Sequence, residues 1–130
     1  MPEIFSDMIY LVTSYWPYFL RGTRNTIVLA LLAVVGGCLA GLIVALLRMS
    51  KNRVVSSVAR AYIAVFRGTP MMVQAVFLYY GLKPVFNWDT TVAGICIISI
   101  NTGAYMAESV RGGIISIDPG QTEGAKAIGM

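Results

Sequence analysis

The sequence has 130 residues, 57% of them hydrophobic and only 12% charged, with a mean hydropathy of +0.72. Soluble domains carry about a quarter charged residues, so half that share marks a chain built to face lipid. Between Met8 and Trp88 there is no Asp or Glu, yet that stretch holds Arg21, Arg24, Arg48, Lys51, Arg53, Arg60, Arg67 and Lys83. A soluble surface mixes both signs, and the length admits one small bundle without a separate soluble domain.

The same composition removes several kinds of chemistry. There is no His, so His-based triads and His-ligated metal sites are excluded. Cys38 and Cys96 lie in apolar runs without C-x-x-C spacing and read as small packing residues. No G-x-x-x-x-G-K-[ST] occurs, so any ATPase that drives this protein is another chain. The basic residues, behind a pI of about 9.3, bracket apolar segments rather than lining one face. That pattern points to membrane topology and not to nucleic acid. Glu3 and Asp7 stand where the basic leader of a signal peptide belongs, and no A-x-A-like site follows.

In chain order, residues 1–24 include Tyr15, Trp16, Tyr18 and Phe19 and read as an external, interfacial segment. The first span covers 25–48; its core, Thr26 to Leu47, is 22 residues without a charge. At 1.5 Å per residue that is roughly 33 Å, enough to cross a hydrocarbon core of about 30 Å. Gly37 and Gly41 form a G-x-x-x-G beside Gly36 and Ala40, small enough for another helix to approach, although glycines are also commoner in membrane helices generally.

The second element, 57–82, carries Arg67 near its middle and Gly68, Thr69 and Pro70 directly after it. Pro70 lacks an amide hydrogen and pushes Thr69 out of the helical region, so the helix should break here, with Thr69 as N-cap and Pro70 at the first helical position. Arg67, Gly68 and Pro70 thus shape a broken element. A central arginine costs about 2.5–3.5 kcal/mol unless it reaches water, a carboxylate or protein. Either Arg67 faces a cavity or the headgroups within a broken span, or Val54 to Phe66 is a cytoplasmic interfacial helix.

The third span, 89–112, contains Asn101, Tyr105, Glu108 and Gly112 at spacings of four, three and four, which share one polar and small helical face turned into a bundle. Arg111 follows Glu108 at i+3, where the two can pair. Three spans put Arg48, Lys51, Arg53, Arg60, Arg111 and Lys126 on one side, six against Arg21, Arg24 and Lys83 on the other. The positive-inside rule then predicts an external N-terminus and a cytoplasmic Met130 end. Residues 113–130 form a small-residue cytoplasmic tail after Pro119 and Gly120. The fold class expected is all-α and integral to a membrane.

Three stretches, FLRGTRNTIVLALLAVVGG, YIAVFRGTPMMVQ and AYMAESVRGGIISIDPGQTEGAKAIGM, together resemble the membrane permease subunits of bacterial ABC importers for polar amino acids. The likeness runs from about Phe19 to the end. It implies that residues 113–130 open the E-A-A loop, which docks into the ATPase subunit, with Glu123, Ala125 and Gly129 at its E, second A and G positions. Gly124 replaces the family's first Ala, which keeps the position small but weakens a helix by about 1 kcal/mol. Family members continue through two further spans, so the chain looks like the first part of a permease, an incomplete domain not expected to transport alone.

The resemblance also implies partners: a cytoplasmic ATPase subunit using ATP and magnesium, an extracytoplasmic substrate-binding protein, a second permease subunit, a polar amino acid and the bacterial inner membrane. No cofactor is expected on this chain and no bond chemistry. Glu108 and Arg111 are candidates to meet the ammonium and carboxylate of a zwitterionic substrate, or else they pair with each other at the membrane boundary. Gln74 and Asn101 are candidates for the pathway or for interhelical hydrogen bonds. Two rival readings remain: a small dimeric proton-coupled exporter titrating Glu108, and a non-transporting membrane adaptor.

Overall fold

The computed structural model describes the backbone of residues 2–129 and the side chains of residues 4–129. The Met130 end, expected in the cytoplasm, lies outside the described residues. Five helices follow one another: α1 (Pro2–Arg48), α2 (Arg53–Gly68), α3 (Met71–Phe86), α4 (Thr90–Ile115) and α5 (Pro119–Ala127). The described residues hold no strand.

The first helix is longer than its apolar core requires. Its 47 residues make a rod of about 70 Å, so residues 2–24 are helically continuous with the span that follows. The polar Arg21–Asn25 stretch does not interrupt it, because nothing there removes a backbone donor. Pro17 lacks an amide hydrogen yet lies inside the helix without ending it, and nearby Thr13 turns its hydroxyl onto the Ile9 and Tyr10 carbonyls at 2.8 and 3.2 Å. Two helices, Ile4–Arg48 and Thr90–Ile115, are long and apolar enough to cross a membrane.

The contact that organises the molecule lies between α1 and α4. A methyl group built on Gly36 would stand 2.5 Å from Ser99 Oγ, on Gly37 2.7 Å from Thr102 Cβ, and on Gly41 2.5 Å from Met106 Cβ. On the other side, Gly103 meets Ala40 and the backbone of Gly41. The G-x-x-x-G is therefore the seam of a close helix pair, the reading that sequence alone left open. Ser99 Oγ adds a hydrogen bond to the Ala33 carbonyl at 3.2 Å. Ala33, Ala45, Ala93, Ala104 and Ala107 are fully buried, whereas among the described residues no large side chain is. Small residues let backbones touch, and in lipid that contact replaces the hydrophobic core of a soluble protein.

The pairing also fixes direction. Position 29 meets 94, 36 meets 99, 37 meets 102 and 41 meets 106, so both chains advance together and the helices are parallel. Arg48 and the end of α4 consequently share one end of the bundle. The segment between them must return the chain to the opposite end, which α2 and α3 accomplish as a bent pair.

That pair is broken where the sequence predicted, with different capping. The chain bends by 111° between the two helices. Thr69 is the C-cap of α2, its hydroxyl bonded to the Val65 carbonyl at 2.8 Å, and Pro70 is the N-cap of α3 in place of first helical residue. The extended ψ of 144° forced on Thr69 by the following proline explains the shift: Thr69 cannot continue α2, and Pro70 itself stays extended at ψ 133°. The helices also outrun the predicted 57–82 at both ends. Asn52 caps α2 through the amides of Val54 and Val55. At the far end Asn87 closes α3 in the left-handed region, φ 42°.

Asp89 caps α4 by accepting from the Thr91 amide at 2.8 Å, and that bond holds its carboxyl below the usual carboxylate range. The helix runs through Gly112 and Gly113 to Ile115, three residues beyond the predicted 112.

Gly41→Val should weaken the bundle by about 1–3 kcal/mol, because its side chain would overlap Met106 and the α4 backbone. Gly112→Ala meets nothing within 4 Å and should be neutral or slightly stabilising. Thermal unfolding in detergent, followed by circular dichroism, separates the two; equal midpoints for both variants would remove the seam from its structural role.

Candidate functional site

Two polar groups stand on the side of α4 that faces the bent pair. The upper one centres on Asn101 and Gln74, both buried. Breaking a helix strands backbone carbonyls, and in a membrane no water is at hand to satisfy them. Gln74 Nε2 donates to the Phe66 carbonyl at 2.9 Å, the Thr69 carbonyl at 2.8 Å and the Thr69 hydroxyl oxygen at 2.6 Å. Asn101 Nδ2 donates to Gln74 Oε1 at 2.8 Å and reaches the Phe66 carbonyl at 3.4 Å. Two carboxamides thus seal the α2/α3 break and tie it to α4. Tyr62 adds a third tie, its hydroxyl donating to the Ile100 carbonyl.

The lower group centres on Glu108. One carboxylate oxygen accepts from Arg111 Nε at 3.2 Å and Nη2 at 3.0 Å, the i+3 pair expected from spacing. The other is ion-paired with Arg48 from the last turn of α1. Glu108 is therefore clamped between two helices, with a fifth of its side chain exposed. Ser56 of α2 joins this corner by donating to the Arg48 carbonyl at 2.8 Å. Arg67 lies exposed at the end of α2, its guanidinium 5.3 Å from the Tyr105 ring centre, so Tyr105 shares the site as a cation–π platform. Gly68 is exposed beside the break, with open space around its α-carbon.

The sequence face Asn101, Tyr105, Glu108 is thus turned towards the bent pair, while Gly112 is exposed beyond it. Arg48 was missed as Glu108's partner. Its position in the last turn of a predicted helix was the available signal, but nothing local reports a contact across sixty residues.

The third candidate group stands apart. Asp118 caps α5, its carboxylate accepting from the Gly120 amide at 2.7 Å, and Pro119 occupies the first turn, where a missing amide costs nothing. Glu123 and Gly124 are exposed on this helix and Ala125 is half-buried; Gly129 follows in the left-handed region, φ 84°. No residue of α5 is fully buried. An open recess of about 540 Å³ separates it from the end of α4, lined by Ile114, Ile117, Thr122, Glu123 and Lys126 among others. Among the described residues, no three His, Cys, Asp or Glu side chains gather as a metal site would require.

Residues 37–130 match the family described as binding-protein-dependent transport system inner membrane component. The chain belongs to that family. It contains Gly37 and Gly41 of the seam, the broken pair, the Glu108 clamp and α5 within the matched region. This inner membrane component is 38% identical over 133 residues to the nopaline transport system permease protein NocM of Agrobacterium fabrum, an alignment covering 94% of the chain and 55% of that protein. With the L-cystine transport system permease protein TcyB of Bacillus subtilis it shares 40% identity, covering 90% and 50%. With the glutamine transport system permease protein GlnP of Escherichia coli K12 the figures are 36%, 88% and 53%. A crystal structure of an amino acid ABC transporter with histidines superposes with a TM-score of 0.83 at 43% identity, covering 91% of this chain and 56% of that one. The inner membrane component thus spans about half the length of the curated relatives it matches.

Replacing Gln74 by Leu should cost about 1–3 kcal/mol, the penalty for leaving buried carbonyls unsatisfied. Asn101→Leu should cost a similar amount, and the double variant clearly less than the sum, because the two amides serve one another. A double-mutant cycle on detergent-solubilised protein measures the coupling; strict additivity would show that the pair does not act as a unit.

Proposed function

We propose that this inner membrane component is the pathway-forming subunit of an ATP-driven importer of polar amino acids, coupled to a cytoplasmic ATPase through α5. The observation that carries the reading is α5 itself: a capped helix lying within the family match, exposed except at half-buried Ala125, at the end of the bundle shared by Arg48 and the close of α4. A short exposed helix with Glu123, Gly124 and Ala125 at its centre lets a partner surface approach closely, and Glu123 and Lys126 supply charge to fix its register. Relatives named for nopaline, L-cystine and glutamine transport support the substrate class.

The parallel α1–α4 pair supports the orientation reached by counting charge. Six of the nine cations counted fall at the α5 end, which this reading places in the cytoplasm, with the start of α1 outside. A substrate-binding protein delivers the amino acid from outside. Two permease subunits enclose the route, and two ATPases that close on ATP and magnesium move α5. Each state must offer different contacts, because ATP can shift only an equilibrium whose two sides it distinguishes. Glu108, Arg111, Asn101 and Gln74 are the pathway candidates, on the one polar face that α4 turns towards the bent pair. No observation favours the exporter reading, which needs a freely titrating carboxylate where Glu108 has both oxygens in ion pairs.

Two experiments test the reading in the complete transporter. Glu123→Arg with Ala125→Trp should abolish co-purification of the ATPase subunit while the permease reaches the membrane at its normal level; retention of the ATPase would sink the docking role. Glu108→Gln and Arg111→Gln should each lower amino acid uptake at least tenfold at unchanged membrane levels. Full uptake in both would confine the clamp to structure.

A further inference from the structure

In the first half of α1 every side chain from Ile4 to Val28 is exposed, yet the residue types there are sorted around the helix. At about 100° per residue, Ser6, Asp7, Tyr10, Thr13, Ser14 and Pro17 recur at spacings of three and four and fall within an arc of about 120°. Arg21 and Arg24 continue the same line towards the span. Every other position between Ile4 and Leu20 is apolar or aromatic, and on that side Phe5, Ile9, Trp16 and Phe19 are 70%, 61%, 53% and 55% exposed.

Length decides where such a segment can lie. Thr26 to Leu47 already covers a hydrocarbon core of about 30 Å. The helix α4 begins level with the start of that stretch: Leu29 meets Gly94, and Thr91 lines a recess with Arg24, Asn25 and Thr26. Residues 4–20 therefore stand beyond the end of the bundle opposite Arg48. Held along the axis of the span, they would carry their apolar arc roughly 25 Å into water. Two features let the helix turn aside without unwinding. Pro17 removes an intrahelical donor, and Gly22 has no side chain and open space around it, the residue types at which kinks concentrate. The hydroxyls of Thr13 and Thr26 donate to the Ile9 and Gly22 carbonyls at 2.8 and 3.0 Å, back-bonds of the kind that bend helices. A recess of about 490 Å³ opens between these two threonines, lined by Tyr15, Tyr18, Phe19, Gly22 and Thr23.

We propose that residues 4–20 lie in the plane of the membrane surface, hinged near Gly22, with the apolar arc sunk among lipid acyl chains and the Asp7–Tyr10–Ser14 line at the headgroups. An apolar arc of about 240° is wider than the single stripe a helix buries against a protein, and it suits a fluid surface that closes around it. From Ile4 to Leu20 there is no Lys or Arg, and Asp7 stands on the polar line, so attraction to anionic headgroups does not hold the segment and apolar burial must. The inference requires only that Thr26 to Leu47 crosses a membrane, so it stands independently of the import reading.

The test places one nitroxide at a time on the full chain carrying C38A and C96A, reconstituted in phosphatidylcholine bilayers. Labels replacing Phe5, Ile9, Val12, Trp16 and Phe19 should collide several-fold more with oxygen than with a nickel chelate, and labels replacing Asp7, Tyr10 and Ser14 should do the reverse. Labels at Leu31 and Leu39, exposed within the span, set the reference for lipid. The depth of the apolar positions should hold at about 5–10 Å from residue 5 to residue 19. A helix continuing along the span would instead change depth by about 1.5 Å per residue, roughly 21 Å over that length. The pattern should persist in salt near 1 M, where charge attraction is screened within about 3 Å. A steady gradient of depth, chelate access at every position, loss of the pattern in salt, or exclusion of both reagents from the apolar positions, as contact with a second copy would give, would each overturn the proposal.

Discussion

Everything else in the molecule depends on how closely α1 and α4 approach. Gly36, Gly37 and Gly41 remove side chains where Ser99, Thr102, Gly103 and Met106 stand, so the two helices touch nearly backbone to backbone. In water a bundle gains by hiding large apolar groups. Here many of those groups, such as Leu31, Leu39 and Ile43, face outwards, and the fully buried ones among the described residues are alanines. Lipid tails are as apolar as leucine, so stability must come from contact geometry, and contact is greatest where side chains are smallest. The parallel direction of this pair then dictates the rest: both helices end together, Arg48 comes beside Glu108, and the intervening segment has to cross back.

Crossing back with a bent pair creates a chemical problem that the α4 face solves. A proline break leaves carbonyls without partners at a depth where each would be costly. Gln74 supplies the donors from beyond the break and Asn101 supports it from α4, so one polar cluster satisfies the break and fastens α2, α3 and α4 together. The bend is therefore part of the packed structure and not a slack joint. Its angle and the position of α4 are set by the same few hydrogen bonds.

How far these features can be read from residues follows from their range. The apolar runs of α1 and α4, the break near Pro70 and the Glu108–Arg111 pair are local, written in hydropathy, in the missing proline donor and in i+3 spacing. The resemblance of the stretches around Arg67 and after Ala104 to importer permeases was legible for the same reason, since those motifs are contiguous, and the family match over residues 37–130 agrees with it. What escaped was non-local or a matter of degree. Arg48 reaches Glu108 only because Gly41 sets the α1–α4 register. Thr69 and Pro70 exchange capping roles because both stay extended, a one-residue matter that pattern does not decide. The helical continuity of residues 2–24 was hidden by the polar Arg21–Asn25 stretch, which breaks the hydropathy without breaking the backbone.

The same register joins the two ends of the candidate machinery. α5 leaves α4 after only Ser116, Ile117 and Asp118, and α4 carries Glu108, Tyr105 and Asn101 along one face back to the break. A displacement of α5 acts on a continuous helix whose hydrogen bonds are spent within itself, so that helix moves as a body before it bends. Its freedom is limited by the glycine seam, which resists separation because there is no side chain to fill the gap, and by the Glu108 clamp to α1. Both contacts fix α4 against α1, so the two helices form one unit to which the bent pair is fastened at Asn101 and Gln74. If α5 transmits movement as proposed, the polar cluster that seals the break would be where it changes hydrogen bonding within the bundle.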